Sequence, residues 1–296
     1  MCDAASRLRL DGARERDSGS RACRAISLAG RAGFVEKNGM RILLTNDDGI
    51  DAPGLHALRE IARELAGPEG EVWVSAPETN QSGAGHSLSL NEPLRMREVA
   101  ERVYAVRGTP TDSVIMGIRH ILRNRLPDLV LSGINRGANM AEDVTYSGTI
   151  AGAFEGTQLG VRSIALSQAY SYLAGDNPHW ETAIRHAPGL IRALLAEPWP
   201  PGVLMNVNFP DRRPDEIEGI EVTVQGRRDQ QLLGIDARHD TWGNPYYWLG
   251  YAKRRSNPER GTDLWAVYNG WISVTPLNMN LTDRAMHERL KGRISR

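Results

Sequence analysis

From Met40 onward the sequence predicts an α/β protein built on a doubly wound, mostly parallel sheet, followed after Pro210 by an extended C-terminal arm. Short apolar runs alternate with stretches of helical period, which is the order of βαβ units. At 296 residues, with 41% apolar and 24% charged residues, the chain has the length and usage of a water-soluble globular protein: one large domain, or one domain with an appendage. The arm is marked by a change of texture. Past Pro210 helical patterns thin out, Pro, Gly and Arg accumulate, and aromatic residues gather in TWGNPYYWLGY, 241–251.

RILLTN (41–46) and EVWVSA (71–76) read as strands, and GLHALREIARELAG between them sets apolar residues at helical spacing. That order implies a right-handed crossover. VYAVRG (103–108) is a further strand, and PTDSVIMGIRHIL opens a helix with Pro in its first turn. PDLVLSG (127–133) is a buried parallel strand. A helix over GTIAGAFEGTQLG, a strand at SIALS, a long helix from about Trp180 to Glu197 and a strand at VLMNVNFP (203–210) complete a catalytic core spanning 40–210. The arm, 211–296, is expected to hold a late strand, WISVTPL, and a last helix around DRAMHERLKG, with no segment long enough to bury a sheet on both faces. No internal repeat is present.

Residues 1–39 read as a disordered extension, with Met40 as an alternative initiator. The segment is Arg-rich but lacks the apolar core of a secretory signal, and Asp3, Asp11, Glu15 and Asp17 argue against a transit peptide. Both cysteines, Cys2 and Cys23, fall here, which removes thiol catalysis and a disulfide framework from the main body. That usage fits a reducing compartment, and a cytoplasmic location is expected. The formal net charge of +0, from 36 basic and 36 acidic residues, supplies no global field for a nucleic-acid duplex. No apolar run reaches bilayer length, so no membrane association is expected.

Chemistry gathers just past the carboxyl ends of strands, where open parallel sheets bind ligands. Asp47 and Asp48 follow the first strand, Ser82 lies in APETNQSGAGHS after the second, and Asn135 and Asn139 lie in LSGINRGAN after a later one. Adjacent carboxylates resist ionising together unless something positive holds them. Two carboxylates, a hydroxyl and an amide carbonyl form an all-oxygen set suited to Mg²⁺, Mn²⁺ or Ca²⁺ rather than zinc. The alternative is that both aspartates simply form the turn. In TYSGTIAG (145–152), Ser147 and Thr149 offer hydroxyls and Gly148 lets a ligand approach the backbone where a helix begins, an arrangement that binds phosphate. Ser147 as a plain N-cap is the competing reading.

Other chemistries are weaker. His86 is a candidate proton donor by its ordinary titration range, though a lone loop histidine is more often structural; His56 and His120 fall on helices and are ordinary. No Walker loop and no G-x-S-x-G elbow occurs, which disfavours P-loop ATP hydrolysis and serine hydrolysis.

Taken together, RILLTNDDGIDAPGLHAL, VSAPETNQSGAGHSLSL, GTPTDSV, DLVLSGINRGANM, YSGTIAGAFEG and GWISVTPL, in that order from about Met40 to about Thr282, resemble the SurE family, survival protein E with 5'/3'-nucleotidase activity. The resemblance implies a Rossmann-like core, a C-terminal arm used in oligomerisation, and a homodimer or homotetramer. It also implies a divalent-metal-dependent phosphomonoester hydrolase that releases nucleoside and phosphate from nucleoside 5'- and 3'-monophosphates, with one Mg²⁺ or Mn²⁺ per subunit. Its metal ligands carry over to Asp47, Asp48, Ser82 and Asn135, its phosphate-contacting serine loop to Ser147, Gly148 and Thr149, and the second asparagine of its glycine loop, a substrate-binding position, to Asn139; in direct hydrolysis, the expected reaction, the catalytic proton acceptor is Asp47 or Asp48. Two departures stand. The first thirty-nine residues have no counterpart, and Asn280 replaces an acidic residue common after TPL.

Two rivals differ in kind. A haloacid-dehalogenase-type phosphatase needs a second aspartate two residues after its nucleophile, and here Gly49 follows Asp47 at that distance. A metal-dependent nucleotide sensor would use the same ligands without hydrolysis. The cluster Trp242, Tyr246, Tyr247, Trp248 and Tyr251 is expected to be covered by another subunit, with stacking on the nucleobase as the alternative.

Overall fold

Side chains alternate along the first strand, β1 (Arg41–Thr45): Ile42 and Leu44 pack into one helical layer and Leu43 into the opposite one. This computed structural model describes residues 39–171, 177–228, 233–251 and 256–294. The proposed extension, apart from Gly39, lies outside them. In chain order β1 is followed by α1 (Pro53–Ala66), β2 (Glu71–Pro77), β3 (Arg95–Ala100), β4 (Val103–Arg107), α2 (Pro110–Ile115), β5 (Leu129–Arg136), α3 (Gly148–Gln158), β6 (Arg162–Gln168), α4 (Trp180–Ala196) and β7 (Val203–Phe209). Then come β8 (Gly219–Val222), β9 (Leu233–His239), β10 (Pro245–Tyr251), α5 (Asp263–Tyr268), β11 (Trp271–Asn278) and α6 (Arg284–Ile294).

Nine strands form one sheet in the order β3-β4-β2-β1-β5-β6-β7-β11-β8, and β9 pairs with β10 as a separate antiparallel hairpin. From β4 to β7 every neighbour is parallel; β3 and β11 run antiparallel to β4 and β7. This is an α/β, Rossmann-like fold. The chain winds from β1 outward to β2 and β4, then returns to the other side of β1 as β5. Successive loops therefore diverge between β1 and β5, and such a reversal leaves a crevice at the carboxyl ends of the strands.

Helices cover both faces. Leu55, Leu58, Ile61 and Leu65 of α1 share a core with Ala183, Ala187 and Ile191 of α4, below Leu129, Leu131, Ile164 and Leu166 of the central strands. On the opposite face Val114 and Ile118 meet Leu43 and Val130, and Ile150 and Ala153 of α3 meet Ala165. The expected helix over 110–122 divides. A capping box between Thr109 and Asp112 starts α2, but from Met116 to Ile121 the turns widen to π geometry. Gly117 there lies so close to Leu43 that a Cβ would stand 2.8 Å from its side chain.

The late strand overturns one expectation about the arm. β11 is inserted in the main sheet between β7 and β8, with Ile272, Ser273, Val274 and Thr275 all buried. Ser273 and Thr275 meet Thr223 through hydroxyl–hydroxyl hydrogen bonds of 2.8 and 2.7 Å, so two of its five buried positions are polar and the run does not read as core.

Candidate active site

β1 delivers its acidic pair to the crevice as the turn after Thr45, and each neighbouring element is tied to that turn. Gln81 N–H donates to the Asp47 carbonyl at 2.7 Å, which brings the loop after β2 against β1. Arg136 N–H, at the end of β5, donates to Asp48 Oδ2 at 3.1 Å. Thr149 Oγ1, in the first turn of α3, donates to Asp47 Oδ1 at 2.5 Å. Gly148 makes that last approach feasible, because a Cβ on it would sit 2.7 Å from Asp47 Cβ.

The end of β5 is shaped for its task. Its pairing with β6 shifts register between Ser132 and Asn135, and a bulge of this kind re-aims the side chains beyond it. Gly133 takes φ +139° there, and a Cβ would lie 2.3 Å from the Leu166 carbonyl oxygen, so only glycine fits. Past it, Asn135 Nδ2 donates to the Gly137 carbonyl at 2.8 Å, leaving its Oδ1 as the atom available to a cation.

Electrostatics at the turn are poised for positive charge. Burial drives the Asp47 pKa from 3.8 to about 6, with the Asp48 charge adding to the rise and the Thr149 hydrogen bond opposing it. Asp48 is raised too, chiefly by burial, while the Arg136 N–H and guanidinium pull it back. Asn46 Oδ1 is buried without a hydrogen-bond partner while its Nδ2 donates to the Gly49 carbonyl at 2.8 Å. Among the described residues no group of three or more His, Cys, Asp or Glu assembles. A cation here would therefore rest on two carboxylates supplemented by neutral oxygens. That donor set, with Asp47 buried and Asp48 half-buried beside it, fits a hard divalent ion.

The remaining site residues divide. Ser147 caps α3, its Oγ accepting from Ile150 N–H at 3.1 Å. Thr149, expected at the phosphate, is wholly buried and spends its hydroxyl on Asp47. Ser82 is exposed on its loop, its N–H bonded to Asn80 Oδ1 at 2.8 Å. Asn139 is held at the ends of β6 and β7: its Nδ2 donates to Ser167 Oγ and its N–H to Asn208 Oδ1, both at 2.8 Å. Sequence reading missed Arg136, which touches Asp48 through its backbone and its charge. Its place directly after Asn135 was the available signal.

The family model described as Survival protein SurE matches residues 42–232. The chain belongs to the SurE family. Its relatives include the protein named 5'-nucleotidase SurE of Methylobacterium nodulans, 63% identical over 244 residues that make up 82% of this chain and 95% of the relative. A protein of the same name from Azorhizobium caulinodans is 59% identical over 251 residues, covering 85% of this chain and 97% of its own. The crystal structure of SurE from Aquifex aeolicus superposes with a TM-score of 0.74 at 43% identity, covering 85% of this chain and 98% of that one. The SurE match thus includes the aspartate turn, the Ser82 loop, the β5 bulge and the start of α3.

Proposed function

We propose that the chain is a divalent-metal-dependent nucleotidase that hydrolyses nucleoside 5'- and 3'-monophosphates to nucleoside and phosphate. The observation that carries this reading is the Asp47–Asp48 pair at the sheet reversal with the start of α3 docked on it. SurE relatives that carry the name 5'-nucleotidase at about 60% identity support it. Asp47, Asp48, Ser82 and Asn135 hold the cation, Mg²⁺ or Mn²⁺, one per subunit. When bound, the ion polarises a phosphoryl oxygen and acidifies water.

The protein's own groups do the rest. Asp47 or Asp48 takes the proton of the attacking water as its oxygen bonds to phosphorus and the ester bond to the nucleoside breaks. The carboxyl then returns that proton to the leaving oxygen, which departs as the nucleoside hydroxyl. Ser147 uses its lone pair on Ile150 N–H and keeps its own hydrogen for a phosphoryl oxygen. With the first N–H of α3, on Gly148, it meets charge where phosphoryl transfer develops it. Asn139 orders the β6–β7 end of the site, where its Oδ1 carries no hydrogen bond among the described residues and is left for substrate. Phosphate release from a nucleoside monophosphate is the test. EDTA should abolish it and Mg²⁺ or Mn²⁺ restore it, whereas full activity in a chelated preparation overturns the reading.

Residues 211–296 serve as the arm that completes the sheet and joins subunits into a homodimer or homotetramer. Exposed Trp242, Tyr247, Trp248 and Leu249 on the hairpin and Leu281 before α6 support this role. The neutral balance of charge argues against a nucleic-acid duplex, and a main body without cysteine from residue 40 onward favours the cytoplasm. Among the described residues no helix is long and apolar enough to cross a membrane.

A further inference from the structure

One contact near the site is used by none of these steps. His86 Nε2 lies 3.1 Å from Glu155 Oε2. Glu155 is on α3, where it is only 5% exposed, and a carboxyl group so placed is costly unless a partner justifies it. Helix formation does not require it. His86 is in the middle of the glycine-rich loop that begins at Ser82, and its ring also packs on Phe154 with centroids 5.9 Å apart.

That loop has little else to hold its middle. At its start Gln81 N–H bonds the Asp47 carbonyl and Ala84 N–H the Gln81 carbonyl. At its far end Thr109 Oγ1 bonds the Ser87 carbonyl at 2.8 Å and Ser89 Oγ donates to Asp112 Oδ2 at 2.7 Å. Between them Gly83 and Gly85 take φ of +81° and +57°, conformations that glycine enters freely and leaves as freely. Among the described residues, His86 is the side chain that fastens this stretch to the body of the protein.

We propose that the His86–Glu155 clamp holds the Ser82 loop in register with the aspartate turn, so that His86 is a positioning residue for the cation site. The inference rests on the assignment of Ser82 as a ligand. One helix then sets both sides of the site. Its first turn orients the Asp47 carboxylate through Thr149, and its second turn and beyond fixes the opposing loop through Glu155. Supporting contacts of this type characteristically change metal affinity while leaving the ligands themselves in place.

Mn²⁺ binding to the full chain, measured by titration calorimetry without substrate, tests the clamp. His86→Ala and Glu155→Ala should each weaken binding about tenfold, as should Ser82→Ala, and the double variant should be no worse than either single one. Glu155→Gln keeps a hydrogen-bonding partner and should stay close to wild type. At saturating Mn²⁺ kcat should recover in His86→Ala, Glu155→Ala and the double variant, with KM little changed. His86 is half-exposed, so His86→Ala is the variant whose melting temperature should hold. If the clamp variants bind Mn²⁺ like wild type while Ser82→Ala does not, the clamp is overturned and the ligand assignment survives. If Ser82→Ala also binds normally while Asp47→Asn does not, Ser82 is no ligand and the clamp falls with it. Should Asp47→Asn bind Mn²⁺ unimpaired, the cation site itself is misplaced, and the clamp is overturned with it.

Discussion

A buried carboxyl that gains nothing by ionising is a stability problem that pH exposes. The pKa of Asp47 is raised on folding, so its contribution is fully present below about pH 4 and is lost as pH rises toward 6. With about 1.4 kcal/mol per pKa unit, the loss amounts to roughly 3 kcal/mol, about half of it between pH 5 and pH 7. In EDTA, the wild type should therefore lose stability relative to Asp47→Asn over that interval, as urea midpoints would show. A difference that does not move with pH would mean the carboxyl is not strained. Thr149→Val should make ionisation harder still and weaken Mn²⁺ binding about tenfold by calorimetry, with the fold retained. Unchanged affinity would reduce Thr149 to packing. The acidic pair was legible because two neighbouring charges ask for a counterion wherever they sit. The task of Thr149 was not, since its partner lies 102 residues away and nothing local announces it.

Among the elements, α3 presents the proposed phosphate contacts at its start. Ser147→Ala separates its two roles: as a cap alone it should cost about 1 kcal/mol of stability and little activity, whereas a phosphate contact should damage turnover far more than the melting temperature. Parallel melting and kinetic measurements decide between them. The start of this helix could be read from the run GTIAGAFEG, as could α1 and α4 from their apolar spacing. The π turns after α2 could not, because the close packing of Gly117 on Leu43 is a tertiary demand. Nor could β3, an edge strand exposed along nearly its whole length and so without the alternation of a half-buried strand; β8 alternates, but its apolar Ile220 and Val222 are the exposed positions.

For the whole molecule, the reversal of winding between β1 and β5 brings together loops from separate parts of the chain, and the doubly wound reading anticipated such a meeting past the carboxyl ends of the strands. The hairpin β9–β10 is a different case. Its aromatics were conspicuous, but the pairing of Tyr247 with Ala237 and Trp248 with Asp236 depends on a partner strand with no comparable pattern. Replacing Tyr247 and Trp248 with Ser should lower the solution mass by light scattering. Unchanged mass with a higher Michaelis constant for a nucleotide, but not for a small phosphomonoester, would instead assign the rings to base stacking. The insertion of β11 between β7 and β8 has a consequence for biosynthesis. β7 and β8 are translated well before the strand that joins them, so a growing chain displays the bare flank of β7 until residue 278 has emerged. An unpaired strand edge invites non-native association. Nascent chains halted short of β11 should accordingly need chaperone protection that the finished protein does not.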